Sequence, residues 1–220
     1  MSGSQPTGGL TMRDPLRLKQ WDEMACETAC TAQILYVYGL MEESDISSID
    51  RTIGRRPNKP DVRCGNIRLL LERGLHLRSI TPVTPEAVTG PGGVDLLRKL
   101  WLEVGRSQKE IDEDLPKVFP DIVASFRQSM PLMRRFRSQI TTVQRMSTKK
   151  DLRDMLRQGH IVFCTQLASN GTTHAILAIP EGNSSNTCLV YDPAIGNTRR
   201  FTFDQLDRNV VSYGNGWRLP

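Results

Sequence analysis

Residues 20–39 read QWDEMACETACTAQILYVYG. From Cys26 onward the small residues Ala29, Cys30 and Ala32 are followed by the larger apolar Ile34, Leu35 and Val37, and Gly39 supplies the left-handed stop that ends many helices. The stretch therefore predicts a mostly buried helix from Cys26 to Tyr38, with Cys26 in its first turn. That position matters chemically, because the N–H groups and dipole at a helix N-terminus stabilise thiolate, the form in which a cysteine attacks.

Outward from this helix, NIRLLLER (66–73), closed by Gly74, predicts a second helix, and RTIGRRPNKPD (51–61) reads as a turn-rich connector. The segment from Thr81 to Met146 opens on a Pro/Gly-punctuated loop, TPVTPEAVTGPGG, and continues as helix, with a capping-box spacing from Ser107 to Glu110. Pro116, Pro120 and Pro131 are expected to break it into short pieces. It reads as a helical insertion over about residues 81–146. After Thr148 the period changes. TKKDLRDMLRQG is a short capped helix ending at Gly159, and strand-length apolar runs follow: HIVFCTQL (160–167), HAILAI (174–179), CLVYD (188–192), TRRFTF (198–203) and NVVSY (209–213). The turns between them, SNGTT, EGNSSN and AIGN, are short, which favours antiparallel pairing. Helices first and sheet last imply an α+β fold.

A nucleophilic thiol needs a base, and the chain offers His76, His160 and His174. His174 opens a strand directly after a polar loop. Asp192 ends the following strand in Tyr-Asp-Pro, so pairing of the two strands brings a carboxylate to the imidazole, the orienting role of a triad's third member. Acyl transfer also needs oxyanion donors; Gln20, six residues before Cys26, offers a side-chain amide, and the Cys26 N–H a second donor. The catalytic set is thus Cys26, His174, Asp192 and Gln20. Each has a plainer reading: Cys26 as a small core residue, His174 as a polar strand start, Asp192 as the start of an Asp-Pro turn. Cys30, one turn on, is the reserve nucleophile, with core packing expected. His160 is expected at the surface, His76 in a strand or loop, and Cys64, Cys164 and Cys188 in core or strand positions. Trp21 either walls a cleft or packs.

The run QWDEMACETAC followed by TAQILYVYG, together with THAILAIPEG…CLVYDPAIGNTRRFTFDQL, resembles papain-like cysteine peptidases, and among them the bacteriocin-processing peptidases that cut after a double-glycine leader. The resemblance spans roughly residues 20–80 and 148–213. It implies a papain-like fold, with an N-terminal helical lobe carrying the nucleophile helix and a C-terminal antiparallel sheet carrying His174 and Asp192. It implies peptide-bond hydrolysis through an acyl-enzyme on Cys26, and the same constellation also serves deamidases and transglutaminases. Two features depart from that family: Glu27 follows the cysteine where glycine is usual, and the usual fused membrane transporter has no counterpart here. An inactive papain fold serving as a binding module is the competing reading.

Composition sets the outer limits. With 220 residues, 38% hydrophobic and 24% charged, the chain is long enough for one sizeable core. The expected division is a flexible tail (1–14), a papain-like domain (15–213) and a C-terminal tail (214–220). Nothing approaches the roughly 18 apolar residues of a membrane span, and residues 1–10 lack a basic and an apolar signal region. The expectation is a cytoplasmic protein or one exported without a Sec signal into a target cell, as a bacterial effector or toxin. Five cysteines without a CxxC pair argue against a disulfide scaffold or zinc ribbon, so no cofactor or metal is expected. Seven basic and no acidic residues lie between Arg127 and Lys150, but no aromatic interleaving accompanies them. A solvated helix face is expected, with no nucleic-acid partner. The expected partners are a protein or peptide substrate and an inhibitor or immunity protein.

Overall fold

The computed structural model describes residues 12–23, 25–57, 63–103, 106–167, 173–182, 186–210 and 212–220. Among these the expected nucleophile helix is α1, Cys26–Val37, followed by Gly39 at φ 68°. Then come α2 (Ile49–Ile53), α3 (Arg63–Glu72) and strand β1 (His76–Thr81). Three helices, α4 (Pro85–Thr89), α5 (Gly93–Glu103) and α6 (Gln108–Arg135), lead to β2 (Ile140–Gln144). The C-terminal part runs α7 (Lys149–Arg157), β3 (Ile161–Leu167), β4 (Thr173–Pro180), β5 (Thr187–Asp192), β6 (Asn197–Thr202), α8 (Phe203–Asn209) and β7 (Ser212–Arg218). The fold is α+β, with the strands in one seven-stranded sheet of order β2-β1-β7-β3-β4-β5-β6.

Strand alternation divides the core into two layers. On one face Leu77, Ile161, Leu177, Ile179, Tyr191 and Trp217 pack with α1 and α3. On the other Val162, Cys164, Ile176, Ala178, Cys188 and Val190 pack with α7 and α8. Helix α1 is buried on nearly every side: besides its small and apolar residues, Thr28, Thr31 and Gln33 are buried, Thr31 Oγ1 donating to the Glu27 carbonyl at 2.9 Å and Gln33 Nε2 to the Leu16 carbonyl at 3.4 Å. Ile34, Leu35 and Val37 are fully buried, each contributing roughly 1.5–3 kcal/mol by removal from water.

Three expectations are corrected. The sheet is mixed: β1 and β2 pair in parallel, while the other neighbours, including the strands of His174 and Asp192, are antiparallel. The helical segment 81–146 is therefore the crossover that a parallel pair needs, and its last residues, ITTVQ, are themselves β2. Second, the three prolines do not break the helix; all lie within the single 28-residue α6. They are exposed, so the carbonyls they leave without an N–H partner face water. The opposite face, with Ile111, Leu115, Phe119, Ile122, Val123 and Phe126, packs against α4 and α5 in a core of its own. Burial of this stripe outweighs the local proline cost.

Third, residues 214–218, expected as a tail, belong to β7, and Phe203–Asn209 is helical. The sequence SYGNGWR hides a strand because its glycines serve close packing: a Cβ on Gly216 would stand 2.8 Å from Met155 Sδ, and one on Gly214 2.6 Å from the Ile80 carbonyl oxygen. At the other end most of the expected tail, residues 1–11, lies outside the described residues, whereas Arg13 is tied down by its N–H to Val37 O and a guanidinium bond to Glu42. No helix among the described residues is long and apolar enough to cross a membrane.

The exposed prolines of α6 make a direct prediction. Pro120→Ala restores an N–H donor to the Pro116 carbonyl and removes a ring clash, partly offset by a looser unfolded chain. It should raise stability to urea by about 1–2 kcal/mol; an unchanged or lower midpoint would contradict this account of α6.

Candidate active site

Cys26 is the first residue of α1, preceded by Ala25, which has no side-chain oxygen to cap the helix. One turn further, Cys30 is fully buried with its Sγ 3.7 Å from the carbonyl oxygen of Ala175. Ala175 directly follows His174, so this contact carries the N-terminus of α1 to the beginning of β4.

His174 and Asp192 are brought together by register. Strands β4 and β5 pair Ala178 with Val190 and Leu177 with Tyr191. Continuing by one residue sets Asp192 opposite Ile176 and makes His174 its diagonal neighbour on the same sheet face. His174 Nε2 lies 2.7 Å from Asp192 Oδ1. The same oxygen accepts the Ala194 N–H at 2.9 Å, so Asp192 both starts the Asp-Pro turn and holds the ring. The imidazole also shares a side-chain hydrogen bond with Cys26; with Nε2 committed to Asp192, Nδ1 is left for the sulfur.

These contacts raise the His174 pKa from its ordinary value to about 9: the Asp192 bond contributes most, then the Cys26 bond, and together with the charges of both partners they outweigh partial burial. At Asp192 burial opposes ionisation, but the bonds from His174 and Ala194 and the charges of His174 and Arg199 hold its pKa below the usual carboxylate range.

Gln20 joins the site through the backbone. Its N–H donates to the Pro193 carbonyl at 2.8 Å, and the Tyr191 hydroxyl donates to the Leu18 carbonyl at 2.5 Å. The segment 18–20 is thereby sewn to the end of β5. Gly196, at φ 63°, permits this approach, since a Cβ there would stand 2.8 Å from Lys19 N. The Gln20 Nε2 donates to the Asp22 carbonyl at 3.0 Å while its Oε1 is buried without a hydrogen-bond partner among the described residues. A carbonyl acceptor at Asp22 fixes which end of the amide carries the nitrogen.

Of the remaining candidates, His76 begins β1. His160 is not at the surface: it is 4% exposed, its Nδ1 donates to the Met155 carbonyl, and burial pushes its pKa down to about 4. It lies under Gly216 of β7, close enough that a Cβ there would stand 3.1 Å from the His160 Cβ, a packing the sequence does not display. Cys164 and Cys188 are buried in β3 and β5, Cys64 stands in α3, and the five cysteines are unbridged thiols. Trp21 is 40% exposed, donates to Asp50 Oδ2 at 2.8 Å, and walls a cavity of about 490 Å³ with Leu16, Leu18 and Ile46. A smaller cavity of about 210 Å³ meets Asp192 from the α7 and α8 side, where Gln166, Ile176 and Arg199 line it. The sequence reading missed Arg55, which is buried between Asp22 and Asp50; it stands in a connector read as turn, and no local pattern marks it. Within the basic stripe, Arg135, Arg145 and Lys150 pair with Glu72, Asp151 and Asp154. Among the described residues no group of His, Cys, Asp or Glu is placed to hold a metal ion.

A scan against models of protein families and a search of curated proteins find no match to this chain.

The His174 environment is testable by NMR. Its ring should titrate near pH 9, and Asp192→Asn, which removes the carboxylate charge and weakens the bond to the ring, should lower the midpoint by roughly one unit or more. A folded-state pKa above the unfolded value means that the stabilising contribution is intact below about pH 6.5 and is lost as pH rises through about 9. The melting-temperature gap between wild type and Asp192→Asn should therefore narrow from pH 6 to pH 10. A ring titrating near 6.5 in both proteins would refute this.

Proposed function

We propose that the chain is a papain-like cysteine peptidase that hydrolyses peptide bonds through an acyl-enzyme on Cys26. The observation that carries this reading is the position of the His174 ring, bonded through Nε2 to Asp192 and sharing its other side with Cys26. A ring so held is a general base whose tautomer and direction are fixed.

In this reading the Cys26 proton resides on the His174 ring as a thiolate–imidazolium pair, in line with the raised pKa of the ring, and the thiolate sulfur attacks the scissile carbonyl carbon. Asp192 stabilises the imidazolium. Negative charge passes to the carbonyl oxygen, where the Cys26 N–H and one N–H of Gln20 Nε2 receive it, the other being held by Asp22 O. Imidazolium then protonates the leaving amine as the C–N bond breaks. Water, deprotonated by His174, hydrolyses the thioester and restores the thiolate–imidazolium pair. The cavity beside Trp21 adjoins Gln20 in sequence and is open to a peptide side chain. An effector or toxin acting on proteins of a target cell, held in check by an immunity protein, fits this chemistry. If an amine replaces water as acceptor the same steps give transamidation, and with a glutamine side chain as substrate they give deamidation.

Cys26→Ala and His174→Ala should each abolish turnover, the first with little change in melting temperature and the second with a loss of stability confined to the pH range in which the ring is charged, and Cys30→Ala should keep most of the turnover. Gln20→Ala should lower kcat by roughly 10²-fold with little effect on KM. Expressing wild type and Cys26→Ala in parallel and searching for new protein N-termini identifies the substrate. Full turnover by the Cys26 variant would sink the mechanism. A wild type whose cysteines all react with a mild alkylator no faster than an ordinary thiol would instead make the chain an inactive fold used for binding, as Glu27 beside the thiol would favour.

The orienting role of Asp192 is separable from its turn. Asp192→Asn can still accept a bond from the ring and should retain substantial activity, whereas Asp192→Ala should lose more. Equal specific activity in all three proteins would leave Asp192 a turn residue only.

A further inference from the structure

Arg55 lies between α2 and α3 with none of its side chain exposed. Its NH2 donates to Asp22 Oδ1 at 2.5 Å, and its NH1 to both carboxylate oxygens of Asp50 at 3.0 and 3.1 Å. Asp50 belongs to α2 and also accepts the Trp21 indole N–H at 2.8 Å. The backbone carbonyl of Asp22 in turn accepts from Gln20 Nε2 at 3.0 Å and from the Ala25 N–H at 3.2 Å. One guanidinium thus connects a helix of the lobe to the turn that leads from Gln20 into Cys26.

Stability does not account for such an arrangement. Desolvating a guanidinium and two carboxylates offsets most of their attraction, and well-packed apolar side chains serve stability as well. What a guanidinium between two carboxylates supplies is a fixed distance and direction, which an apolar contact does not. The turn needs that, because Gln20–Glu23 contains neither helix nor strand. The Gln20 N–H bond to the Pro193 carbonyl ties one end of it to the end of β5, and the Ala25 N–H bond to the Asp22 carbonyl closes the other.

We propose that Arg55 is a positioning residue for the candidate oxyanion hole: by gripping Asp22 against Asp50 it sets the carbonyl that orients the Gln20 amide. The catalytic consequence rests on the peptidase reading; the mechanical one does not. Asp22 and Asp50 belong to the same device, and Trp21 donates to Asp50, so the wall of the larger cavity and the Gln20 turn both connect to Arg55.

The test uses Arg55→Met, which keeps length and apolar bulk without the fork, Arg55→Lys, which keeps the charge, and Asp50→Asn, which weakens one anchor and leaves Arg55 in place should the methionine variant not fold. Hydrogen exchange at the Ala25 amide reads the turn directly, with Leu35 in the buried part of α1 as reference. In Arg55→Met the Ala25 amide should exchange at least about tenfold faster while Leu35 stays within about twofold, with a smaller rise in Asp50→Asn. Peptide turnover should show kcat reduced roughly 10²-fold at nearly constant KM, partly recovered in Arg55→Lys. Unchanged exchange at Ala25, or equal acceleration at Ala25 and Leu35, would overturn the proposal by showing no grip or a purely global role. A wild type without turnover would sink the peptidase reading, and the exchange comparison would still decide the positioning role.

Discussion

The close approach of α1 to β4, marked by Cys30 Sγ 3.7 Å from the Ala175 carbonyl oxygen across their seam, is what the geometry of the candidate site depends on. A helix can lie this close to a sheet only if its facing side chains are small, and Ala25, Ala29, Cys30 and Ala32 are all completely buried. The residues that give α1 its weak amphipathic pattern are therefore the ones that let it settle against β4. Once it has settled, Cys26 and His174 lie one step back along their own elements, toward the same end of the sheet. Replacing any of these small residues by a larger one would move the helix axis before it moved the thiol, because cores resist added volume.

The α4–α6 crossover stands apart from this seam. It carries its own cluster of Val83, Val88, Leu97, Ile111 and Leu115, and it reaches the main core through Leu132 and Phe136 near the end of α6. Its strand, β2, joins the sheet at the edge, four strands away from β4 in the order β2-β1-β7-β3-β4. A segment attached in this way can vary in length and charge while the neighbourhood of β4 and β5 keeps its register.

What the sequence disclosed follows the range of the forces involved. The helix at Cys26, the capping boxes at Ser107 and Thr148 and the strands that carry His174 and Asp192 are written in local periodicity and cap chemistry, and they stand where that chemistry puts them. The Asp192–His174 bond was legible because two short-looped antiparallel strands leave few registers open. The parallel β1–β2 pair, the glycine-lined β7 and buried His160 were hidden for a common reason. Each depends on a partner far along the chain: Ile140 on Leu77, Gly216 on Met155, His160 on Gly216. Arg55 is the extreme case, since a buried cation between two carboxylates 33 and 5 residues away has no signature in any window of sequence. The prolines of α6 misled in the opposite direction, because a strong local rule yielded to burial on the far side of the same helix.

Adjacent residues of β5 divide the work of the site between the two faces of the sheet. Tyr191 is fully buried on the α1 side, and its hydroxyl holds the Leu18 carbonyl and with it the segment leading to Gln20. Asp192 follows Val190 on the opposite face and holds His174. Pro193 then gives its carbonyl to the Gln20 N–H. Three consecutive residues therefore place the glutamine segment, the imidazole and the glutamine backbone in turn. Since strand side chains alternate with a period of two, a slip of one residue in the β4–β5 register would turn Tyr191 away from Leu18 and Asp192 away from His174 together. The same hydrophobic alternation that buries Leu189 and Tyr191 against one layer and Val190 against the other forbids that slip. The register that closes the core is thus also what keeps the carboxylate on the ring, and the site has no separate structural requirement for it beyond the folding of β5 itself.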